Sequence, residues 1–366
     1  MEQENLKYVL SILNIPKIGS AHAKNLIAYC GSASEVFRQK KTHLVRIPGI
    51  GAKLAENIVG FKDFDKAEKE VAFIKKHDIK PIYFLDKEYP RRLNEIADAP
   101  ILLFYKGNTD FNVPRLLAVV GTRRATDYGK AVCEKLVEEL APYNVTIVSG
   151  LAYGIDYAAH KAALKAGLPT VGVLAHGLDM IYPSAHRSLA VKMIEQGGLL
   201  TEYTSGTGPE REHFPERNRI VAGITDGLIL VETARKGGAL ITAEISNSYD
   251  REVFAVPGRI DDESSAGCNH FIKVNKAFLA ESAADIAYYM GWDDKQAKPK
   301  PAKINLTNLT PKEKAIVDCI GKNINDIDTI CLELNAPSHE ISVQLLEMEF
   351  KGLVQAMPGK VYKLTS

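Results

Sequence analysis

The sequence predicts an α/β protein with a doubly wound, mostly parallel sheet, a small N-terminal helical domain and a C-terminal winged-helix domain. Three observations support this: a repeat within the first 80 residues, a series of short apolar runs between residues 101 and 290, and helical patterns followed by a hairpin after residue 306. The predicted boundaries are 1–80 for the helical domain, 81–292 for the sheet domain, 293–306 for a linker and 307–366 for the winged helix.

The N-terminal repeat consists of two segments that align without gaps, IPKIGSAHAKNLI (15–27) and IPGIGAKLAENIV (47–59). Each places a Pro-x-Ile-Gly turn before a helical pattern, which is typical of a doubled helix-hairpin-helix. Such a turn leaves the first amides of the next helix free to bind a phosphate. The first copy has Lys17 where the second has Gly49, so a helical packing domain of the sterile-alpha type stays open as an alternative.

Short runs of Val, Ile and Leu predict the strands of the sheet. They lack polar alternation, as strands covered on both faces require, and the segments between them are long enough for right-handed crossover helices. A Rossmann-like, doubly wound sheet is therefore expected. The runs are LLAVV (116–120), VTIV (145–148), TVGVL (170–174), GLILV (227–231) and EVFAV (252–256).

The segment after the sheet domain, DDKQAKPKPAKINL (293–306), is rich in Lys, Pro and Asp and is predicted to be a linker. Three short helical patterns follow, with Thr310, Asp326 and Ser338 as expected N-caps. The last segment, GLVQAMPGKVYKL, predicts a hairpin with its turn at Pro358 and Gly359. Three helices and a hairpin describe a winged helix.

Composition excludes a disordered or fibrous protein and gives no bulk charge for nucleic-acid binding. The 366 residues contain 46 Lys+Arg and 45 Asp+Glu, so attraction to a polyanion has to come from local clustering. The first residues lack the pattern of an export signal, and no apolar run is long enough to span a bilayer. We expect a cytoplasmic protein that does not contact a membrane.

The sequence predicts neither a metal site nor a bound cofactor. Its five cysteines show no C-x-x-C spacing and are expected to be reduced thiols without a functional role. The histidines show no H-E-x-x-H spacing, and no Gly-x-Ser-x-Gly elbow or Walker lysine motif is present. No catalytic residue is predicted.

Four turns that favour anions follow predicted strands, where the ligands of open α/β sheets bind. Arginines stand in the first turn where a dinucleotide fingerprint has its second and third glycines, and long guanidinium side chains suit the successive phosphates of an extended strand. We therefore expect these turns to lie along one edge of the sheet. The four turns are Gly121–Arg124, Ser149–Gly154, Arg217–Arg219 and Lys236–Gly238.

An ordered set of motifs across residues 86–290 closely resembles the DNA-processing protein A (DprA/Smf) family. The segment after the linker also resembles the winged-helix domain that many members carry. The motifs are DKEYPRRLNEIADAPILLFYKG, VVGTRRATDYG, VSGLAYGIDYAAH, GLDMIYPSAHRSL, LLTEYTSGTGPEREHFPERNRIVAGI, GGALITAE and REVFAVPG.

The resemblance implies a protein that binds single-stranded DNA entering the cell during natural transformation. Such a protein shields the strand, helps to load a RecA-type recombinase, and forms a homodimer. The expected DNA-binding residues are Gly121, Thr122, Arg123, Arg124, Ser149, Gly150, Leu151, Ala152, Tyr153, Gly154, Arg217, Asn218, Arg219, Lys236, Gly237 and Gly238.

Two features qualify this set. Relatives usually have Ser-Gly-Ser or Ser-Gly-Thr where this chain has Lys236-Gly237-Gly238-Ala239, which removes hydroxyl donors and leaves backbone amides. Tyr128, Tyr153 and Phe214 lie next to the basic turns. For each of these aromatic residues, stacking on bases and packing in the core are both open.

An enzyme of nucleotide metabolism is the alternative. The segment KGGALITAE is similar to the Gly-Gly-x-Gly-Thr-x-x-Glu motif of Rossmann-like phosphoribohydrolases. Here Thr242 precedes Glu244 by two residues instead of three, and a glycine of the motif is replaced, so the catalytic carboxylate is expected to be misplaced. We therefore predict a binding protein and not an enzyme.

The third winged-helix helix, SHEISVQLLEMEF (338–350), carries Glu340, Glu347 and Glu349 and no Lys or Arg. Placing it in a major groove sets carboxylates against phosphates. We expect a protein-contact or regulatory role for this domain and no reading of duplex DNA. A basic wing formed by Lys351, Lys360 and Lys363 is the feature that opposes this expectation.

Overall fold

The computed structural model describes residues 3–292, 309–321, 326–351, 353–357 and 361–364. The chain forms two compact units, residues 1–290 and 291–366. The predicted linker at 293–306 and the Pro358-Gly359 turn lie outside the described residues. Among the described residues, no helix has both the length and the apolar character needed to cross a bilayer.

The first unit begins with a helical region whose two repeat copies adopt the same turn. Lys17 and Gly49 occupy equivalent positions, with φ of 68° and 83°. A left-handed turn is therefore kept in both copies, although lysine adopts it at a steric cost that glycine avoids. The helices are α1 Gln3–Leu13, α2 Ser20–Cys30, α3 Ala33–Arg38, α4 Lys41–Leu44, α5 Ala52–Val59 and α6 Asp65–Lys76.

A nine-stranded sheet follows, in the order β1-β2-β6-β5-β4-β3-β7-β8-β9. The strands from β6 to β9 in this order are parallel, whereas β1 pairs antiparallel with β2 and β2 pairs antiparallel with β6. The doubly wound, mostly parallel sheet is confirmed. Its strands are β1 Lys80–Tyr83, β2 Leu102–Gly107, β3 Leu116–Val120, β4 Thr146–Ser149, β5 Thr170–Val173, β6 Gly197–Thr201, β7 Gly227–Leu230, β8 Glu252–Ala255 and β9 Phe278–Leu279.

The order in which successive strands are added to the sheet reverses at β3, because β4 to β6 extend the sheet on one side of it and β7 to β9 on the other. The topological switch point, where such folds usually bind their ligands, therefore lies at the carboxyl ends of the neighbouring strands β3 and β7. The helices of the sheet region are α7 Asp127–Glu139, α8 Ile155–Lys165, α9 Arg187–Glu195, α10 His213–Gly223, α11 Ala239–Ser248, α12 Ala266–Lys273 and α13 Ala283–Tyr289.

The N-terminal helices share an apolar core with one end of the sheet, while the rest of the sheet packs in a separate core. Buried residues of α1, α2, α5 and α6 pack with Tyr83, Ile101, Leu102 and Phe104 at the β1–β2 end of the sheet. Domain boundaries at residues 80 and 292 remain predictions, while the contacts group 1–290 as one compact unit.

One buried carboxylate joins the helical region to the loop after β6. Glu70 of α6 is 7% exposed, and its two oxygens accept hydrogen bonds from the Ser205 amide at 3.0 and 3.1 Å. The Ser205 hydroxyl also donates to Glu70. Glu70 therefore anchors the loop that connects β6 to α10.

The second unit has the predicted winged-helix order of three helices and a hairpin: α14 Pro311–Gly321, α15 Ile327–Glu333, α16 Ser338–Phe350, β10 Val354–Met357 and β11 Val361–Leu364. Asp326 caps α15 by accepting from the Thr329 amide, and Thr310 caps α14 by accepting from the Glu313 amide. Ser338 is the first residue of α16, which it does not cap through its side chain.

Lys351, expected in a basic wing, instead forms an ion pair within the winged-helix unit. Its Nζ lies 2.7 Å from an oxygen of Glu313, whose side chain is only 2% exposed. The other Glu313 oxygen accepts from the Thr310 amide at 2.8 Å. The Lys351 hydrogen bond and the Thr310 amide lower the pKa of Glu313 to about 2.

We expect this carboxylate to make the winged helix sensitive to acid. A folded-state pKa below the ordinary 4.5 means that the stabilisation is present above pH 4.5 and is lost as pH falls towards 2. Glu313→Gln is expected to lower the melting temperature at neutral pH. The gap between wild type and variant, followed by circular dichroism, is expected to close between these two pH values, and a gap independent of pH would contradict the assignment.

Candidate nucleic-acid interface

Two glycines let the turns after β3 and β4 pack against each other. Gly154 has a φ of 78°, and a β-carbon there would collide with the Thr122 carbonyl oxygen. A β-carbon on Gly121 would lie 2.5 Å from the Ile155 side chain. The Ile155 amide donates to the Thr122 oxygen at 3.2 Å. Both glycines therefore serve loop packing, which places Arg123 beside the start of α8.

The switch point between β3 and β7 is filled by a carboxylate of the protein itself. Glu232 is 1% exposed, and its oxygens accept from the Thr126 amide at 2.8 Å and the Thr126 hydroxyl at 2.6 Å. A β-carbon on Gly129 would lie 2.5 Å from the same carboxylate. In dinucleotide-binding folds a phosphate occupies this helix start. Here the Glu232 carboxylate occupies that position and accepts the hydrogen bonds of Thr126.

A small cleft of about 40 Å³ lies instead over the ends of β4 and β5. It brings together residues from three of the four predicted segments, represented by Arg123, Leu151, Ala152, Tyr153 and Arg217. The prediction of a turn at Arg217–Arg219 is wrong, because these residues lie within α10. Five further lining residues were not predicted: Leu174, Ala175, His176, Tyr182 and Pro183. They follow β5, so the strand-end rule that located the other turns also applies to them.

A buried guanidinium group forms the floor of this cleft. Arg217 is 5% exposed, donates from Nη1 to the Val173 carbonyl oxygen, and donates from Nε to Asn218 at 3.2 Å. Asp156 is its counter-charge, and a β-carbon on Gly150 would lie within 2.7 Å of both groups. Gly150 is therefore needed to make room for the two charges.

The charges around the cleft favour an anion. Burial raises the pKa of Asp156, while the nearby Arg217 and the Ala152 amide lower it. Burial also lowers the pKa of His176, which keeps that imidazole neutral at physiological pH. Arg123 and Arg217 together outnumber the Asp156 carboxylate, so this part of the cleft is cationic.

Aromatic rings border the same cleft. The Arg123 guanidinium carbon lies 5.0 Å from the centre of the Phe214 ring, in cation–π geometry. The Phe214 ring lies 6.3 Å from that of Tyr182. Tyr153 and Tyr182 are 52% and 49% exposed. Exposed rings beside an exposed guanidinium group provide base-stacking and phosphate-binding surfaces within one cleft.

Several predicted residues lie away from the cleft. Arg219 forms an ion pair with Glu202 and donates to the Asp98 carbonyl oxygen at 2.7 Å, because residues two apart on a helix face different directions. Ser149 is fully buried and donates to the Val119 oxygen at 2.6 Å. The Tyr128 hydroxyl donates to the Pro257 oxygen at 2.9 Å.

The remaining predicted residues follow β3 and β7. Arg124 is exposed, and its amide donates to the Thr122 hydroxyl at 3.2 Å. Lys236, Gly237 and Gly238 form the turn before α11, on the side of β3 opposite to β4 and β5. The geometry therefore does not bring this fourth turn into the cleft.

The segment that resembles a phosphoribohydrolase motif has a different geometry from an active site. Thr242 is 3% exposed, whereas Glu244 is on the exposed face of α11 and pairs with Lys276 at 2.6 Å. The carboxylate is thus engaged by a lysine at the surface and does not face the cleft. This arrangement does not favour the enzyme alternative.

Comparison with known proteins identifies the family. Residues 80–291 match the family model of DNA recombination-mediator protein A, and residues 297–360 match the DprA winged helix domain. The chain belongs to the DprA/Smf family. Residues 9–60 match a SAM-like helix-hairpin-helix tandem, which accounts for the N-terminal repeat in this family member.

Individual relatives cover most of the chain. Protein Smf of Synechocystis is 30% identical over 99% of this chain and 100% of its own. The X-ray structure of DprA from Streptococcus pneumoniae is similar with a TM-score of 0.67, 34% identity, and coverage of 77% of this chain and 97% of that one. DprA of Helicobacter pylori, whose structure is described for its single-stranded DNA binding mode, gives a TM-score of 0.54, 27% identity, and coverage of 59% and 96%.

We expect the two cleft arginines to differ in their effect on stability. Arg217→Ala leaves the buried Asp156 without its counter-charge and is expected to cost about 3–5 kcal/mol of unfolding free energy. Arg123→Ala removes an exposed group and is expected to change it by less than about 1 kcal/mol. Urea unfolding measures both.

A double replacement provides the control. Asp156→Asn with Arg217→Met removes both buried charges and is expected to recover part of the lost stability. Equal effects of Arg123→Ala and Arg217→Ala would contradict a structural role for the buried guanidinium.

Proposed function

We propose that the chain binds single-stranded DNA in the cleft at the ends of β4 and β5. The observation that carries this proposal is the meeting of exposed Arg123 with the exposed rings of Tyr153 and Tyr182 above buried Arg217. Guanidinium groups bind phosphates without regard to sequence, and unpaired bases stack on aromatic rings. Duplex DNA offers no such base faces.

We further propose a role in DNA uptake during natural transformation. In this role the chain protects incoming strands and helps to load a RecA-type recombinase. Its relatives in Streptococcus pneumoniae and Bacillus subtilis are named DNA processing protein DprA, and the Helicobacter pylori relative binds single-stranded DNA. These likenesses support the role. The cleft by itself supports binding of single-stranded DNA, and the more specific role in transformation rests on family membership.

The proposal describes a binding protein without catalysis. Its support is that Glu232 fills the position of a nucleotide phosphate at the switch point, and that Glu244 is paired with Lys276. The buried guanidinium group of the cleft is used internally, since Arg217 donates to the Val173 carbonyl oxygen and to Asn218. A base-release assay with nucleoside monophosphates tests this part, and turnover would contradict it.

We expect binding of a fluorescent oligothymidylate to weaken steadily as salt rises. The plot of log affinity against log salt has a negative slope, and Arg123→Ala is expected to make it less steep by about 0.7, for one lost phosphate contact on a single strand. Fluorescence anisotropy at several salt concentrations measures this slope. Arg259→Ala, which removes an 82% exposed guanidinium outside the cleft, is the matched control and is expected to leave the slope unchanged.

We also propose a homodimer and assign its contact to the β9 edge of the sheet. β9 ends the strand order and presents Phe278 and Leu279, 39% and 42% exposed. The Phe278 ring stacks on that of Tyr289 at 4.2 Å, and Tyr288 is 71% exposed. An apolar edge strand of this kind is a natural pairing surface.

Phe278→Asp is expected to shift the protein from dimer to monomer, because it places a charge in an apolar contact. Sedimentation velocity of the two forms over a range of concentrations measures the shift. Val191→Asp replaces a 54% exposed apolar residue of α9 and is the control. A variant dimer as stable as the wild type would place the contact on another surface.

A further inference from the structure

A groove continues from the cleft along one face of α8. Two adjoining cavities of about 390 and 730 Å³ form it, and Tyr157 and Lys161 line both. Tyr153 lines the first cavity and also the cleft. The second cavity reaches Lys192 on α9. We call this continuous surface, from Tyr153 past Tyr157 and Lys161 to Lys192, the α8 groove.

A rigid aromatic ridge connects the cleft to the groove. The His186 ring lies 4.9 Å from that of Tyr153 and 4.8 Å from that of Tyr157. His186 is buried, and its Nδ1 is 3.0 Å from the Leu151 carbonyl oxygen. The two tyrosines are therefore supported from below while 52% and 39% of their surfaces stay exposed. Bases leaving the cleft meet a preformed stacking surface.

Cations follow the ridge along α8 and across to α9. Lys161 comes four residues after Tyr157, so it lies on the same helix face about 6 Å further along the axis. Both Lys161 and Lys192 are exposed, and neither forms an ion pair within the part of the chain that the structure describes. These lysines are available to an external anion.

The other charges of the groove are mostly balanced. Lys165 pairs with Glu138 at 2.6 Å and Lys130 with Asp127 at 3.2 Å. Glu134 and Glu195 also line the cavities, so the groove is not a uniformly positive surface. An extended ligand with phosphates at intervals suits such a track, in which aromatic rings and single lysines alternate.

We propose that the α8 groove is a second binding segment for an extended single strand of DNA. The strand leaves the cleft over Tyr153 and Tyr157, places a phosphate near Lys161, and ends near Lys192. This inference rests on the proposed function, since it extends the same DNA path by several nucleotides. It predicts that affinity rises with oligonucleotide length beyond what the cleft alone holds.

Oligothymidylates of about 5 and about 20 nucleotides separate the two segments, because the shorter one fills a single small site. For the longer ligand, the double variant Lys161→Ala with Lys192→Ala is expected to make the negative slope of log affinity against log salt less steep by about 1.4, for two lost contacts at about 0.7 each. The gain in affinity from the shorter to the longer ligand is expected to shrink accordingly.

The matched control is Lys66→Ala with Lys75→Ala, which removes two exposed charges from α6. It is expected to leave the salt slope and the gain with length as in the wild type. An equal loss in both double variants would reduce the effect to net charge and overturn the inference.

Tyr157 tests the stacking part of the path. Tyr157→Ala is expected to weaken binding of the longer oligothymidylate about 5-fold or more, as for one lost base stack. Tyr157→Phe keeps the ring and is expected to restore binding. Loss of binding in both variants would overturn the stacking role, and so would wild-type binding in Tyr157→Ala.

The outcomes distinguish this inference from the proposed function. If neither ligand binds the wild type, the proposed function fails. If both ligands bind and Arg123→Ala weakens them, while the Lys161 and Lys192 double variant keeps the wild-type length dependence, the function stands and the α8 groove is excluded.

Discussion

The candidate interface depends on one buried guanidinium group. Arg217 is anchored to the last carbonyl of β5, and its counter-charge Asp156 comes from the first turn of α8. A buried charge is tolerated only where such partners satisfy it. The strand ends and helix starts around the cleft are therefore held at fixed distances, with Gly150 leaving space between the two charges. Arg123, at the surface, is the arginine free to follow a phosphate.

The position of the cleft follows from how the switch point is filled. In a dinucleotide-binding sheet, glycines after the first strand let a phosphate approach the backbone. Here Gly121 makes room for the Ile155 side chain and Gly154 for the Thr122 carbonyl oxygen. The Glu232 carboxylate accepts a hydrogen bond from the Thr126 hydroxyl at the start of α7. Backbone amides are thereby used internally, and anion binding passes to side chains above β4 and β5. Long arginines suit a ligand that is extended and not enclosed.

Sequence patterns located five of the parallel strands, β3, β4, β5, β7 and β8, and did not predict β1, β2, β6 and β9. β6 begins with Gly197 and Gly198, which are typical of turns, β1 contains Pro81, and β9 has only two residues. The same patterns located Arg123 and Tyr153 after strand ends, and they singled out Arg217, which lies within α10 and not at a strand end. They could not show that Arg219 pairs with Glu202, because that contact joins residues 17 positions apart. The segment after β5 contains the single glycine Gly177 and no arginine before Arg187, so it lacks the paired glycines or arginines that marked the other turns.

The shared core of the helical region and the sheet has a mechanical consequence. Leu102 and Phe104 are covered by the N-terminal helices, so a fragment starting at residue 80 would expose this apolar surface to solvent and aggregate. Glu70 adds a second connection between the two regions, since it accepts a hydrogen bond from the amide of Ser205 on the loop that leads to α10. A partner that tilts the first helices would thus pull on the loop that leads to α10, the helix bearing Arg217, so the N-terminal repeat is connected to the cleft through Glu70 and Ser205.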